Sequence, residues 1–153
     1  NVLLTYIDLV RSECITALGG KPDVSAYVPM SKSQFIEHYA SLAMEIQKQY
    51  GIPASVTLSQ MINESHWGRS ELARSGNNYF GIKATRKWGR DGKPYSVHDD
   101  DRKGEKFCNY PSAEESMYHY ARTLQGSPGY VVECEKIIKA HKLYLYDHMA
   151  MKT

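Results

Sequence analysis

Several features that identify common protein classes are missing from this sequence of 153 residues. No apolar run approaches the roughly 20 residues of a membrane-spanning helix, so no transmembrane segment is predicted. The formal net charge of +2 is too small to indicate a nucleic-acid partner. Because the chain begins with Asn1 rather than methionine, we expect a processed or excised piece that has lost any signal peptide.

Residues that would support metal or disulfide chemistry are scarce. Cys14, Cys108 and Cys134 are odd in number and lack CxxC spacing, so they indicate neither a zinc site nor a redox pair. Free, buried thiols are the expected state of these cysteines. His66 and His98 show no HExxH-type spacing. We therefore predict no metal site and no cofactor.

Phenylalanine is also rare, with 3 residues, whereas tyrosine occurs 12 times. A tyrosine combines an apolar ring with a hydroxyl group, which suits a groove for a polar polymer. We expect most of the tyrosines to be ordinary half-buried surface residues, so composition alone identifies no site.

Apolar residues recur at helical spacing along much of the chain. Ser31 and Gln34 have the spacing of a capping box, and a second helix is predicted to begin at Pro53. The apolar face of the first of these helices consists of Phe35, Tyr39, Leu42, Ala43, Ile46 and Tyr50. Residues 1–30 are predicted to form a separate helix and linker, and residues 31–153 the main domain.

The second half of the chain adds short strands to the helices. Segments 79–83, 94–99 and 105–110 are predicted as strands, joined by loops at 89–92 and 101–104. Further helices are expected after the capping box of Ser112 and Glu115, ending near Gly126, and from Val131 to His141. Helices followed by a small sheet and then more helices predict a mainly helical α+β domain.

One stretch, residues 53–83, contains the candidate for acid chemistry. Glu64 is the single acidic residue of a predicted helix and lies close to its end, next to Trp67. A carboxyl beside apolar side chains keeps its proton more readily, as a general acid requires. An exposed helix-end glutamate, or an ion-pair partner of Arg69, is the more frequent explanation of such spacing alone.

The order of motifs in this stretch resembles a known family. ASVTLSQMINESHWGRSELA followed by NNYFGIK is similar to the glucosaminidase domain of bacterial cell-wall hydrolases, glycoside hydrolase family 73. The similarity also takes in FIEHYASLAMEIQKQYGIP and HDDDRKGEKFCNYPSAEES, and it covers residues 31 to about 125.

The resemblance implies a lysozyme-like fold, with a helical lobe, a small antiparallel β-lobe and a groove between them. It implies an endo-β-N-acetylglucosaminidase that cleaves the β-1,4 bond after N-acetylglucosamine in peptidoglycan glycan strands. The expected location is secreted or in the bacterial cell envelope, with fusion to, or association with, other envelope modules as a further possibility.

Site residues follow from the resemblance position by position. Glu64 matches the catalytic acid of the family, and Tyr79, Phe80 and Gly81 match the motif that lines its groove. Trp67 and Asn78 are further candidates for contact with sugar. A turn that needs positive φ would also select an asparagine at position 78.

The resemblance also implies a second carboxylate on the β-lobe, and the matching region contains Asp99 and Asp100. Because side chains alternate along a strand, only one of these aspartates can face the groove while the strand continues. We favour Asp99 over Asp100, on the expectation that Val97 packs toward the helical lobe; Asp100 would take the role if His98 lined the groove instead.

A groove tyrosine that the family carries late in the domain has no matching motif here. Tyr130, Tyr144 and Tyr146 are the candidates to replace it, and the alternative is that this chain lacks the residue.

Other functions of the same fold stay open at this point. A lytic transglycosylase or a muramidase would share the acid but cut the other glycosidic bond. A non-catalytic glycan-binding domain would keep the aromatic residues, and Glu64 would be dispensable.

Overall fold

The structure is a computed structural model, and it describes residues 29–124 and 134–152. The chain divides into two compact units, Asn1–His38 and Tyr39–Thr153. The predicted N-terminal helix and nearly all of the predicted linker lie outside the described residues, so the boundary at residue 30 stays a prediction. None of the described helices is long and apolar enough to cross a membrane.

Two helices open the described chain: α1 (Lys32–Tyr50) and α2 (Ala54–Ser65). The capping box before α1 is confirmed, because the Ser31 amide donates to Gln34 Oε1 and the Gln34 amide donates to Ser31 Oγ. Pro53 was predicted at the first helical position but is the N-cap residue of α2, with φ −53°.

The backbone N–H groups at the start of α2 are bound by side chains from other helices, because Pro53 has no side chain that can cap the helix. Asp147 accepts hydrogen bonds from the Ser55 amide and the Ser55 hydroxyl, both at 2.6 Å. Gln47 Oε1 accepts from the Ala54 amide at 2.9 Å. A carboxylate at a helix N-terminus also interacts favourably with the helix dipole, so Asp147 stabilises the start of α2.

Two short helices and a hairpin follow: α3 (Glu71–Gly76), α4 (Arg86–Arg90), β1 (Tyr95–His98) and β2 (Glu105–Cys108). The strands pair antiparallel, with Tyr95 opposite Cys108 and His98 opposite Glu105.

Two predictions about this region are wrong. The predicted strand at 79–83 is reduced to one bridge between Lys83 and Phe107. The predicted loop at 89–92 begins inside α4, because Thr85 caps this helix through the Trp88 amide and Lys87 pairs with Asp91.

Three helices complete the described chain: α5 (Ala113–Leu124), α6 (Glu135–Ala140) and α7 (Tyr144–Lys152). Ser112 Oγ accepts from the Glu115 amide at the start of α5, at the predicted cap. The predicted last helix includes α6 but is followed by a second helix, with a turn at Lys142 (φ 51°) between them. Gly126 and Val131 lie outside the described residues.

Helix α2 is the centre of the unit Tyr39–Thr153, and it packs against α6 and α7. Its residues 54–62 are all buried. The described structure confirms the mainly helical α+β class with a small antiparallel sheet. Cys108 and Cys134 are buried and free, as predicted, and Cys14 lies outside the described residues.

Candidate active site

Glu64 lies in the last turn of α2, on the border between core and solvent. Met61, Ile62 and Ser65 are buried, whereas Glu64 is exposed. The helix therefore anchors the backbone of Glu64 in the core and leaves its carboxyl on an accessible surface.

The chain reverses directly after Glu64 through a left-handed turn, residues 66–68. His66, Trp67 and Gly68 have φ values of 49°, 62° and 75°. For the two residues with a Cβ this conformation costs roughly 1–2 kcal/mol each. The turn holds because the amides of His66 and Trp67 both donate to the carbonyl oxygen of Ile62.

Ser65 reinforces this turn from inside the core. Its hydroxyl donates to the Met61 carbonyl at 2.5 Å and accepts from the Gly68 amide at 2.8 Å. Its carbonyl oxygen accepts from the amides of Arg69 and Ser70. Ser65 thus positions the end of α2, a role that was not predicted because no local pattern in the sequence distinguishes it.

The segment Tyr79–Ile82 passes beside the Glu64 carboxyl. Gly81 has φ +63°, and a methyl group built on its Cα would lie 3.5 Å from Glu64 Oε2. The positive φ favours glycine at this position, and the short distance places the Gly81 backbone next to the carboxyl. The structure brings together Glu64 and Gly81, as the resemblance implied.

Asn78 holds this segment in place but does not face the surface. Its side-chain amide donates to the carbonyl oxygens of Ile82 and Cys108, both at 2.9 Å, and accepts from the Ile82 amide at 3.1 Å. Asn78 is only 1% exposed. This burial contradicts the predicted contact of Asn78 with sugar, because its polar atoms bind the protein. Asn78 positions Gly81 instead.

Phe80 also differs from its predicted role. Its ring stacks on Tyr120 with centroids 4.1 Å apart, and the residue is only 7% exposed. Phe80 is therefore a core residue rather than part of an exposed sugar-binding surface.

Two predicted aromatic residues remain partly accessible. Tyr79 is half-buried and lies 5.8 Å from the Tyr39 ring, measured between centroids. Trp67 is half-buried and contacts His141 edge to face at 5.0 Å. Their direct contact with sugar stays a prediction.

Two candidates for the late groove tyrosine, Tyr144 and Tyr146, lie on α7, and Tyr130 lies outside the described residues. His141 precedes this helix and contacts Trp67, three residues after Glu64. No sequence motif singled out His141, because its contact with Trp67 joins positions far apart in the chain.

Asp99 and Asp100, the candidates for the second carboxylate, lie in the hairpin tip, residues 99–104, rather than in a strand. The strand predicted to continue through Asp100 ends at His98. Val97 is 56% exposed, whereas His98 is half-buried and contacts Phe107. The premise that favoured Asp99, a Val97 packed inward, is therefore wrong.

The two aspartates make different local contacts. Asp99 Oδ1 accepts from the Gly104 amide at 2.8 Å, so this carboxylate closes the turn. A hydrogen bond to Glu105 raises the pKa of Lys83, and the charges of Asp101 and Asp100 raise it further. The hairpin tip therefore lies close to Lys83, which follows Gly81 by two residues.

Within the described ranges, no cluster of three or more histidine, cysteine or carboxylate side chains is placed to hold a metal ion. Burial raises the pKa of the Cys108 thiol, which disfavours its nucleophilic thiolate form. The ionisable group that the geometry presents beside the Tyr79–Ile82 segment is the Glu64 carboxyl.

Two known proteins are similar to this chain in sequence. Exo-glucosaminidase LytG of Bacillus subtilis is 35% identical over 95 residues, and peptidoglycan hydrolase FlgJ of Vibrio cholerae is 29% identical over 108 residues. These alignments cover 58% and 65% of this chain and 32% of each relative. The chain therefore spans about a third of the length of these curated relatives.

The fold is similar to that of a solved catalytic domain. The catalytic domain of the autolysin Auto from Listeria monocytogenes matches with a TM-score of 0.58 and 25% identity, over 80% of this chain and 92% of that one. The model of the glucosaminidase family, described as mannosyl-glycoprotein endo-beta-N-acetylglucosaminidase, matches residues 40–150. This match takes in more than half of the chain, and the chain therefore belongs to the glucosaminidase family of glycoside hydrolases.

Proposed function

We propose that this domain hydrolyses the glycan strands of peptidoglycan at the β-1,4 bond after N-acetylglucosamine, with Glu64 as the general acid. The observation that carries the proposal is the accessible Glu64 carboxyl beside the backbone of Gly81. The names of LytG and FlgJ, a glucosaminidase and a peptidoglycan hydrolase, support this substrate.

The chemistry requires one proton donor and one water molecule. Glu64 transfers its proton to the glycosidic oxygen as the bond from that oxygen to the anomeric carbon breaks. Water then adds to the anomeric carbon and loses a proton, which leaves N-acetylglucosamine at the new reducing end. The half-buried rings of Trp67 and Tyr79 supply apolar surface for the sugar faces.

The identity of the new chain ends tests this proposal. Purified peptidoglycan is digested with the protein, reduced with borohydride and analysed by mass spectrometry. We expect reduced N-acetylglucosamine at the new ends. Reduced N-acetylmuramic acid would identify a muramidase, and a 1,6-anhydro end would identify a lytic transglycosylase. Binding of peptidoglycan without any new ends would identify a glycan-binding domain. Each of these three results would overturn the proposal.

For the second carboxylate we propose Asp100. The support is that Asp99 already binds the Gly104 amide, whereas Asp100 is exposed and its charge acts on Lys83, two residues after Gly81. The Asp100→Asn variant is expected to lower kcat by about tenfold or more, as for loss of an assisting carboxylate.

The matched variants Asp99→Asn and Asp101→Asn should stay within about twofold of the wild-type kcat. Loss of activity in Asp99→Asn alone would reassign the role to Asp99. Equal activity in all three variants would leave the acetamido group of the substrate as the assisting group.

We also infer that the domain acts in the bacterial cell envelope as part of a longer protein. The support is the one-third coverage of its curated relatives. An antibody raised against the domain should detect a larger polypeptide in the envelope fraction of the source bacterium. A band of only about the mass of this chain, or a signal confined to the cytosol, would contradict the inference.

A further inference from the structure

A second concave surface, which we call the aromatic cleft, lies between α4, the residues before β1 and α5. The lining extends along α5 from Glu115 to Thr123 and includes residues 109–111. Its volume is about 600 Å³, within the range of sites that hold small ligands. The lining residues do not include Glu64, Trp67, Tyr79 or Gly81. The cleft therefore presents a different set of side chains from the candidate active site.

Three rings form the wall of the aromatic cleft. Trp88 stacks on His119 with centroids 5.2 Å apart and an interplanar angle of 15°, and it contacts Tyr110 edge to face at 5.6 Å. The Tyr110 hydroxyl and His119 Nδ1 are 2.6 Å apart, in a hydrogen bond. Trp88 Nε1 donates to the Pro94 carbonyl, so the indole N–H is already bound. The wall is thus held rigidly by its own contacts.

Two cations, Lys93 and Arg122, line the cleft beside this wall. The Lys93 ammonium lies 4.7 Å from the centre of the Trp88 ring. Burial lowers the pKa of His119, and the positive charges of Arg122 and Lys93 lower it further. The charges of both cations therefore act on the His119 ring, and His119 itself stays neutral near pH 7.

One carboxylate of the lining, Asp91, is paired with Lys87 at 2.7 Å. The hydrogen bond from Lys87 lowers the pKa of Asp91, and the charge of Lys93 lowers it further. Among the described residues, neither Lys93 nor Arg122 forms an ion pair with a carboxylate. A ligand carboxylate placed between these two cations would gain charge-assisted hydrogen bonds.

The cleft also carries a position for a positive group, Glu115 on α5, which forms no ion pair within the described part of the chain. Glu115 and Arg122 both line the cleft from α5 and are separated by seven residues. This spacing corresponds to about 10 Å along a helix axis. The cleft therefore combines a carboxylate, two cations and an apolar wall.

We propose that the aromatic cleft binds the peptide part of peptidoglycan, with a peptide carboxylate at Lys93 and Arg122 and a peptide ammonium group at Glu115. A short peptide that carries both charges matches this distribution, whereas a neutral sugar or a polyanion does not. The inference rests on the proposed function, because it takes the ligand from the same substrate. It adds a second attachment point outside the catalytic groove.

The test uses the free stem tetrapeptide L-Ala-γ-D-Glu-meso-diaminopimelate-D-Ala as the probe. Binding is followed by the NMR shift of the Trp88 indole N–H and by titration calorimetry. We expect Lys93→Gln and Arg122→Gln each to weaken binding by about tenfold, as for loss of one charge-assisted contact. Both side chains are exposed, so the fold should tolerate the changes.

Arg90→Gln is the matched control, because Arg90 is an exposed cation of α4 that does not line the cleft. It should change the tetrapeptide Kd by less than about twofold. Equal weakening in Arg90→Gln would show that only net charge matters and would overturn the proposal.

Three further results would overturn the proposal: no tetrapeptide binding at millimolar concentration, a shift of the Trp88 signal by neutral chitotetraose instead, or binding of poly(glycerol phosphate) in place of the tetrapeptide. Hydrolysis of glycan strands stripped of their peptides is measured in parallel. If the cleft inference alone fails, these strands are still cut. If the proposed function fails, these strands are not cut, or their new ends are not N-acetylglucosamine, whatever the tetrapeptide does.

Discussion

The end of α2 and the hairpin tip both supply carboxyl groups, yet they are held very differently. The left-handed turn after Glu64 is fixed by the buried hydroxyl of Ser65 and by backbone hydrogen bonds to Ile62. The hairpin has two strands of four residues, and its tip is exposed throughout residues 99–104.

This difference indicates a division of roles. A general acid must be held in a defined position relative to the bond that breaks. Strand β2 is anchored to the domain, because Phe107 and Cys108 are buried and Asn78 binds the Cys108 carbonyl. The exposed hairpin tip has no such anchor among the described residues, so we expect it to adjust its distance from the acid when a glycan binds.

The largest effect is expected from Glu64→Gln. The amide is nearly isosteric but cannot donate a comparable proton, so hydrolysis should fall by about 100-fold or more. Release of reducing ends from purified peptidoglycan measures this change, and thermal unfolding should be nearly unaltered. Glu114→Gln, an exposed change on α5, is the control. If Glu64→Gln hydrolyses peptidoglycan at nearly the wild-type rate, Glu64 is not the general acid.

Asn78→Ala should have the next largest effect, on stability. It removes a buried amide that binds Ile82 and Cys108, which is expected to cost about 3 kcal/mol of unfolding free energy. Urea unfolding measures the loss. The control Asn63→Ala changes an exposed asparagine and should cost less than about 0.5 kcal/mol. Similar stabilities of the two variants would show that the Asn78 contacts do not hold the segment beside the acid.

Gly81→Ala separates backbone strain from crowding of the acid. A methyl group added at Gly81 would meet Glu64, whereas one added at Gly92, which has a similar φ of +70°, would have no atoms within 4 Å. Both alanine variants should lose roughly 1–2 kcal/mol of stability from the left-handed backbone. Only Gly81→Ala should also lower kcat, by about tenfold, because its added methyl group lies beside the Glu64 carboxyl. Equal kcat values for both variants would contradict close approach to the acid.

The smallest effect is expected at the hairpin tip. Asp99→Ala removes the acceptor of the Gly104 amide and should cost about 1 kcal/mol. Asp99→Asn keeps an acceptor oxygen and should recover most of that stability. Thermal unfolding of the two variants makes the comparison. An Asn variant as unstable as the Ala variant would show that the charge, not the hydrogen bond, stabilises the tip.

Local patterns in the sequence predicted the parts of the fold that depend on near neighbours. The Ser31–Gln34 capping box, α1, α2 and the hairpin with its loop at 101–104 were all predicted, because caps, helical periods and turns act over a few residues. The predicted third strand is wrong, since the Tyr79–Ile82 segment is held by the side chain of Asn78 rather than by a full ladder.

The order of motifs in the sequence was sufficient to place the chain in its family and to select Glu64, Gly81 and the aspartates of the hairpin tip. Tertiary structure alone decided which of the selected side chains reach the surface. Asn78 and Phe80 are buried because each contacts a residue tens of positions away in the chain, and Val97 faces solvent although it is apolar. Asp147 caps α2 from 92 residues away, and no local pattern around position 147 carries that information.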